Sequence, residues 1–142
     1  MEKKNYLGID WGASKVGIAL AHQETGVALA YSTLRNDEFF MDNLLKLIAL
    51  EDIGTVVIGV PSHVNREVVE YDGEKLGKLI GEQLPGTHIA YQDEMFTTKM
   101  AHANLIERGE KHVGKHDDAE AARIILQSYI DKNIKKEYNY NS

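Results

Sequence analysis

Two connections near the start of the chain are too short for anything but reversal. Trp11–Ser14 separates the apolar run Tyr6–Asp10 (YLGID) from Lys15–His22 (KVGIALAH), and Gln23–Gly26 separates that run from Val27–Leu34 (VALAYSTL). Parallel neighbours need a crossover of about a dozen residues or more, whereas antiparallel neighbours close through a tight loop. The N-terminal segment is therefore expected to be an antiparallel meander of three strands.

The period then changes. Phe40, Leu44, Leu45, Leu47 and Ile48 recur at helical spacing, with Asp37 as the candidate N-cap. Thr55–Val60 (TVVIGV) is a β-branched run of the kind found in a strand covered on both faces. Val68–Leu84 is helical in its later part, where Leu76, Leu79, Ile80 and Leu84 line one side. Thr87–Glu94 reads as a strand, Thr97–Arg108 as a helix, Gly109–His116 as a polar loop and Asp117 to about Lys132 as a last helix. The expected fold is α/β: a mixed five-stranded sheet, a meander of three and then two parallel strands, flanked by helices. Residues 1–133 form the expected domain. The end, 134–142 (IKKEYNYNS), has no core-forming pattern and is expected to be disordered.

Composition narrows the chemistry. At 142 residues, 43 % hydrophobic and 27 % charged, the chain has the make-up of one folded domain. It has no cysteine, which excludes disulfides, thiolate zinc sites and cysteine nucleophiles. The N-terminus, MEKKNY, lacks the apolar core of a signal peptide, and no apolar run is long enough to span a bilayer. The expectation is a cytoplasmic protein without a membrane partner. A net charge of -6 argues against duplex binding by bulk charge, but leaves room for a local basic strip.

A few carboxylates stand where chemistry is usually placed. Asp10 closes a strand just before Trp11-Gly12, and strand ends are where open sheets hold their ligands. The alternative is that its side chain only satisfies a backbone amide of the turn. Asp93 and Glu94 close another strand, and alternation sends them to opposite faces without saying which faces inward. At the last helix, spacing does discriminate. Ala121, Ala122, Ile125, Leu126 and Tyr129 follow Asp118 at helical intervals as an apolar stripe, whereas Asp117 leads a mixed side. Asp118 is the inward acid and Asp117 the N-cap candidate. A desolvated carboxylate needs a partner, either a cation side chain or a metal ion. Three acids converging from two strand ends and a helix start would suit Mg2+ or Mn2+ and phosphodiester hydrolysis.

The remaining polar features are weaker. His112 and His116 are four apart, but Gly109 before them and Gly114 between them argue for a loop, which makes a zinc site a poor reading. Lys99, Arg108, Lys111 and Lys115 face Glu107 and Glu110 in a locally basic stretch, either a solvated helix face or a strip that contacts phosphates. Gly59-Val60-Pro61 marks a tight strand exit.

LGIDWGASKVGIAL at 7–20, TGVALAYSTL at 25–34, VVIGVP at 56–61, YQDEMFTT at 91–98 and DDAEAARIILQSYID at 117–131 together resemble the YqgF/RuvX nuclease family. That family is related to Holliday-junction resolvases and built on the ribonuclease-H-like fold. The resemblance implies three metal-binding catalytic acids at Asp10, Glu94 and Asp118, and phosphate contacts at Lys15 and Lys115. It implies Mg2+ or Mn2+ as cofactor and structured RNA (the 5′ end of precursor 16S ribosomal RNA) or branched DNA as partner. One departure is Met95, where the family commonly has arginine after the Asp-Glu pair; another is Ser62–Arg66, which lacks the usual Asn-Gly character.

The leading expectation is thus a metal-dependent endonuclease on structured RNA, with branched-DNA resolution as the alternative. Two other readings stay open. One is a non-catalytic nucleic-acid-binding factor in ribosome assembly. The other is an ATPase whose first phosphate motif LGIDWGASKVGIAL resembles, although a single domain of this length lacks the second half of an ATP clamp. The sequence leaves a homodimer open.

Overall fold

The computed structural model describes residues 5–61, 70–93 and 117–135, with residues 117 and 135 described as backbone only. The expected helix Thr97–Arg108, the loop Gly109–His116, Glu94, Lys99, Lys111, Lys115 and residues 136–142 lie outside the described residues. The elements are β1 (Asn5–Asp10), β2 (Lys15–Ala21), β3 (Ala28–Arg35), α1 (Phe40–Leu50), β4 (Ile53–Val60), α2 (Asp72–Gln83), β5 (His88–Asp93) and α3 (Asp117–Ile130). A π-helical turn, Asp131–Lys135, continues α3, and its Ile134 packs onto the core.

The five strands form one sheet in the order β3-β2-β1-β4-β5. The first three pair antiparallel, and β4 and β5 run parallel to β1. This is the mixed sheet that the connection lengths require. Side-chain alternation gives the sheet two different faces. One carries Leu7, Ile9, Val16, Ile18 and Ile58 into the larger core with Phe40, Leu44 and Ile48 of α1 and Leu76 and Ile80 of α2. The other carries Ala19, Ala21, Ala28 and Val57 against Ala122, Ile125, Leu126 and Ile130 of α3. Each large aliphatic side chain buried this way contributes about 1.5–3 kcal/mol.

Small residues on the second face let α3 come in close. A Cβ at Gly8 would stand 2.7 Å from Leu126 Cβ and 2.9 Å from the Ala122 carbonyl oxygen. Gln127 clamps the far end of α3 to the β2–β3 hairpin: its Oε1 accepts from the Ala28 amide at 2.8 Å, and its Nε2 donates to the Gly26 carbonyl at 3.1 Å. Glu120, only 4 % exposed, is held on the helix by Arg123, whose Nε and Nη2 lie 2.6 and 2.5 Å from its Oε1.

Two local expectations are corrected. Phe39, not Asp37, holds the N-cap position of α1, and no side chain caps it. Asp37 instead forms an Asx turn, its Oδ1 accepting from the Phe39 amide at 2.9 Å. In α2 the buried stripe is Gly73-Leu76-Gly77-Ile80, and Leu79 is 48 % exposed. Glycines supply the contact positions there because β5 comes close; a Cβ at Gly77 would stand 2.9 Å from Cζ of Tyr91.

Candidate active site

Asp10 is the last residue of the central strand, and the face to which it belongs follows from its neighbours. Leu7 and Ile9 enter the α1–α2 core, whereas Tyr6 and Gly8 meet α3. Alternation therefore places Asp10 on the α3 face. Its cross-strand partner is Gly17. At Gly17 a Cβ would overlap the carbonyl oxygen of Asp118 and stand 2.9 Å from the Ala119 amide nitrogen. Asp10 and Asp118 thus flank one bare position on one face, at the rim where β1 ends and α3 begins.

Why Asp118 arrives there is visible in α3 itself. Ala122, Ile125 and Leu126 are fully buried on the sheet, and Tyr129 packs beside them. This is the stripe that begins with Asp118, a half-buried residue. The first turn of α3 brings the positive end of the helix dipole to the same rim.

The loop that joins Asp10 to Lys15 is braced from both sides. Asn36, just after β3, donates through Nδ2 to the Gly12 carbonyl at 2.7 Å and through its amide to the Ser14 carbonyl at 2.9 Å. Each such bond is worth about 1 kcal/mol net. Trp11 turns to the other face and meets Phe40 edge-on, with ring centroids 5.7 Å apart at 80°. The pair pins the residue next to Asp10.

Lys15 opens β2 as an exposed residue on the Asp10 face, by the alternation that seats Gly17 and Ala19 against α3. Opposite it across the β2–β3 ladder is Arg35. No sequence motif marks Arg35. Between Ile18/Ser32 and Ala19/Ala30 the register slips by one residue, which makes Tyr31 a bulge. Beyond the bulge the parity of β3 inverts: Leu34 packs into the α1–α2 core, and Arg35 falls on the acid-bearing face beside Lys15.

The face of the acid that ends β5 follows in the same way. Ile89 packs into the α1–α2 core, and the hydroxyl of Tyr91 donates to the Glu74 carbonyl of α2 at 3.5 Å. Asp93, two residues on, shares that face and lies away from Asp10. Glu94 is outside the described residues, as are Lys99, Lys111 and Lys115.

The described donor set at this rim is two carboxylates, with no protein sulfur or imidazole, and among the described residues no group of three metal-ligating side chains assembles. Two carboxylates fit a magnesium-like ion, which takes few protein ligands and completes its shell with water and phosphate oxygens. No helix among the described residues is long and apolar enough to cross a membrane.

Comparison with known proteins bears on family and fold. The model of the family described as "RuvX: Holliday junction resolvase" matches residues 4–132. A protein of Staphylococcus epidermidis named "Putative pre-16S rRNA nuclease" is 34 % identical over 140 residues, covering 92 % of this chain and 98 % of its own length. A protein of Rickettsia africae with the same name is 36 % identical, covering 90 % and 88 %. Among solved structures, Thermus thermophilus RuvC in complex with Holliday junction substrate aligns with a TM-score of 0.57 at 16 % identity, covering 92 % of this chain and 96 % of that one. Fowlpox virus resolvase, in complex with Holliday junction DNA, aligns with a TM-score of 0.61 at 9 % identity, covering 92 % and 99 %. At those identities the likeness is one of fold: a mixed five-stranded sheet flanked by helices, as in the RuvC-type resolvases. Matched along nearly all of its length, the chain belongs to the RuvX family.

Proposed function

We propose that this chain is a divalent-metal-dependent endonuclease that hydrolyses phosphodiester bonds in structured nucleic acid, and that its main substrate is the 5′ end of precursor 16S ribosomal RNA. One observation carries the reading: Asp10 and Asp118 flank Gly17 on one face of one rim. Relatives covering nearly their whole length carry the pre-16S nuclease name, which supports the RNA substrate.

Asp10 and Asp118 would hold Mg2+ or Mn2+, with Glu94 as the third acid. Asp93 lies on the other face, which supports Glu94 in that role. Bound there, divalent ions supply Lewis-acid stabilisation of the charge that develops on the phosphate and make bound water more acidic. Glu94 would orient the attacking water. Lys15 and Arg35 would hold the phosphates that flank the scissile bond, reinforced by Lys99, Lys111 and Lys115. Gly17, bare of side chain, lets the first turn of α3 come down onto the strand beside Asp10 and so brings Asp118 to the same rim.

The family description and the shared resolvase fold favour a second substrate, branched DNA. The test is cleavage of a precursor 16S 5′-end transcript and of a four-way DNA junction, each with Mg2+, Mn2+ or chelator. The expected result is metal-dependent cleavage of the RNA by the native chain and none by Asp10→Asn. Cleavage that persists in chelator, or in Asp10→Asn, contradicts the proposal. Cleavage of the junction alone would move the substrate to DNA.

A further inference from the structure

On the face of the sheet opposite the acids, Trp11, Phe40, Met41, Leu76 and Leu79 line an open cavity of about 220 Å³. It lies between the N-terminal halves of α1 and α2, and Asp37, Glu38, Asp72 and Lys75 form its rim. We infer that this cavity docks a protein partner, which inserts one apolar side chain carried between lysines or arginines.

The walls ask for an apolar guest. Leu79 is 48 % exposed, and Phe39 beside the rim is 59 % exposed. Covering such surface is favourable by about 25 cal/mol per Å². The volume is below the roughly 300 Å³ at which pockets for small organic ligands begin, and suits one large side chain.

The rim decides between a peptide and a nucleic acid. All four charged residues there are exposed. Lys75 Nζ stands 3.9 Å from Asp72 Oδ1, so the one cation is taken up by a carboxylate of the same helix. Among the described residues no further cation lines the mouth, so Asp37 and Glu38 leave it negatively charged. A polyanion approaching this mouth is repelled, whereas an ammonium or guanidinium is attracted, and complementary charge of this kind sets partner choice and encounter rate. An apolar anchor in a desolvated pocket with a charged surround is also the usual layout of a protein hot spot. Trp11 is next to Asp10 in the chain but on the other face, so a guest here sits beside the acidic rim without covering it. The inference does not depend on the proposed nuclease reaction.

Trp11 is the only tryptophan of the chain, so its emission reads the cavity directly. The full chain is titrated with an acetylated, amidated peptide Lys-Lys-Phe-Lys-Lys. The comparison probes are Glu-Glu-Phe-Glu-Glu, Lys-Lys-Ser-Lys-Lys and decauridylate. The expected result is a saturable change with the first peptide, about tenfold or more weaker for the other two peptides, and weakened by salt. Glu38→Lys and Leu79→Ser, both at exposed positions, should each weaken the first peptide about tenfold, with melting curves that confirm the fold. No saturable change up to about 1 mM, or equal binding of the three peptides, overturns the inference. An emission change with decauridylate that Leu79→Ser abolishes would make the cavity a base pocket, and would overturn it as well.

Discussion

Gly17 of β2 and Asp118 of α3 meet main chain to side of strand, so closely that a Cβ at 17 would overlap the Asp118 carbonyl oxygen. Because Asp10 is the cross-strand partner of Gly17, this one contact fixes how near the helix acid comes to the strand acid. Gly17→Ala should therefore destabilise the fold by about 3 kcal/mol or more, since backbone cannot rotate away as a side chain would. The melting temperature should fall by about 10 °C. Gly81→Ala is the control. Nothing lies within 4 Å of a Cβ there, inside α2, and it should stabilise by about 0.5–1 kcal/mol. Equal effects of the two substitutions would remove Gly17 as the seat of α3.

Asp10→Asn and Asp118→Asn should each weaken Mn2+ binding, measured by titration calorimetry, by more than the roughly 10–100-fold that outer partners of metal ligands cost. Asp93→Asn, on the other face, should leave Mn2+ affinity unchanged. Loss of binding in Asp93→Asn would show that β5 is read on the wrong parity.

Lys15→Ala and Arg35→Ala should weaken nucleic-acid binding and leave melting within about 0.5 kcal/mol of the native chain, since both residues are exposed. Each should reduce the slope of log K against log salt by about one, as expected for one lost phosphate contact. An unchanged slope for Arg35→Ala would leave Lys15 as the only described cation in contact with substrate.

Much of this was legible from the chain itself. The strand order of the meander follows from connections too short for a crossover. The face of Asp118 follows from the 3.6-residue stripe that ends on Leu126 and Tyr129, both of which pack on the sheet. Arg35 was not legible, because its face depends on a one-residue slip at Tyr31 that leaves no mark in composition. The face of Asp93 needed tertiary contacts of Ile89 and Tyr91 to anchor the alternation. Leu79 was misplaced because Gly73 and Gly77, not large apolar residues, occupy the contact line of α2.

The Tyr91 phenol is pushed above its ordinary range, first by burial and next by the carboxylate of Glu74, with Lys78 opposing. A folded-state value above the unfolded one means that the folded chain holds this proton more tightly. The resulting stability is fully present below about pH 10 and is lost as pH rises through the raised value. Unfolding measured across that window should show a steeper alkaline decline in the native chain than in Tyr91→Phe. Parallel declines would mean that other groups set the alkaline limit.

Two carboxylates sharing a cation are the centre of the proposed chemistry. Anomalous diffraction from crystals soaked in Mn2+ tests this most directly. The expected result is a manganese peak about 2.1 Å from carboxylate oxygens of both Asp10 and Asp118, absent from Asp10→Asn crystals. A well-occupied manganese peak that touches neither carboxylate, or the two carboxylates binding separate ions with none in common, would contradict it.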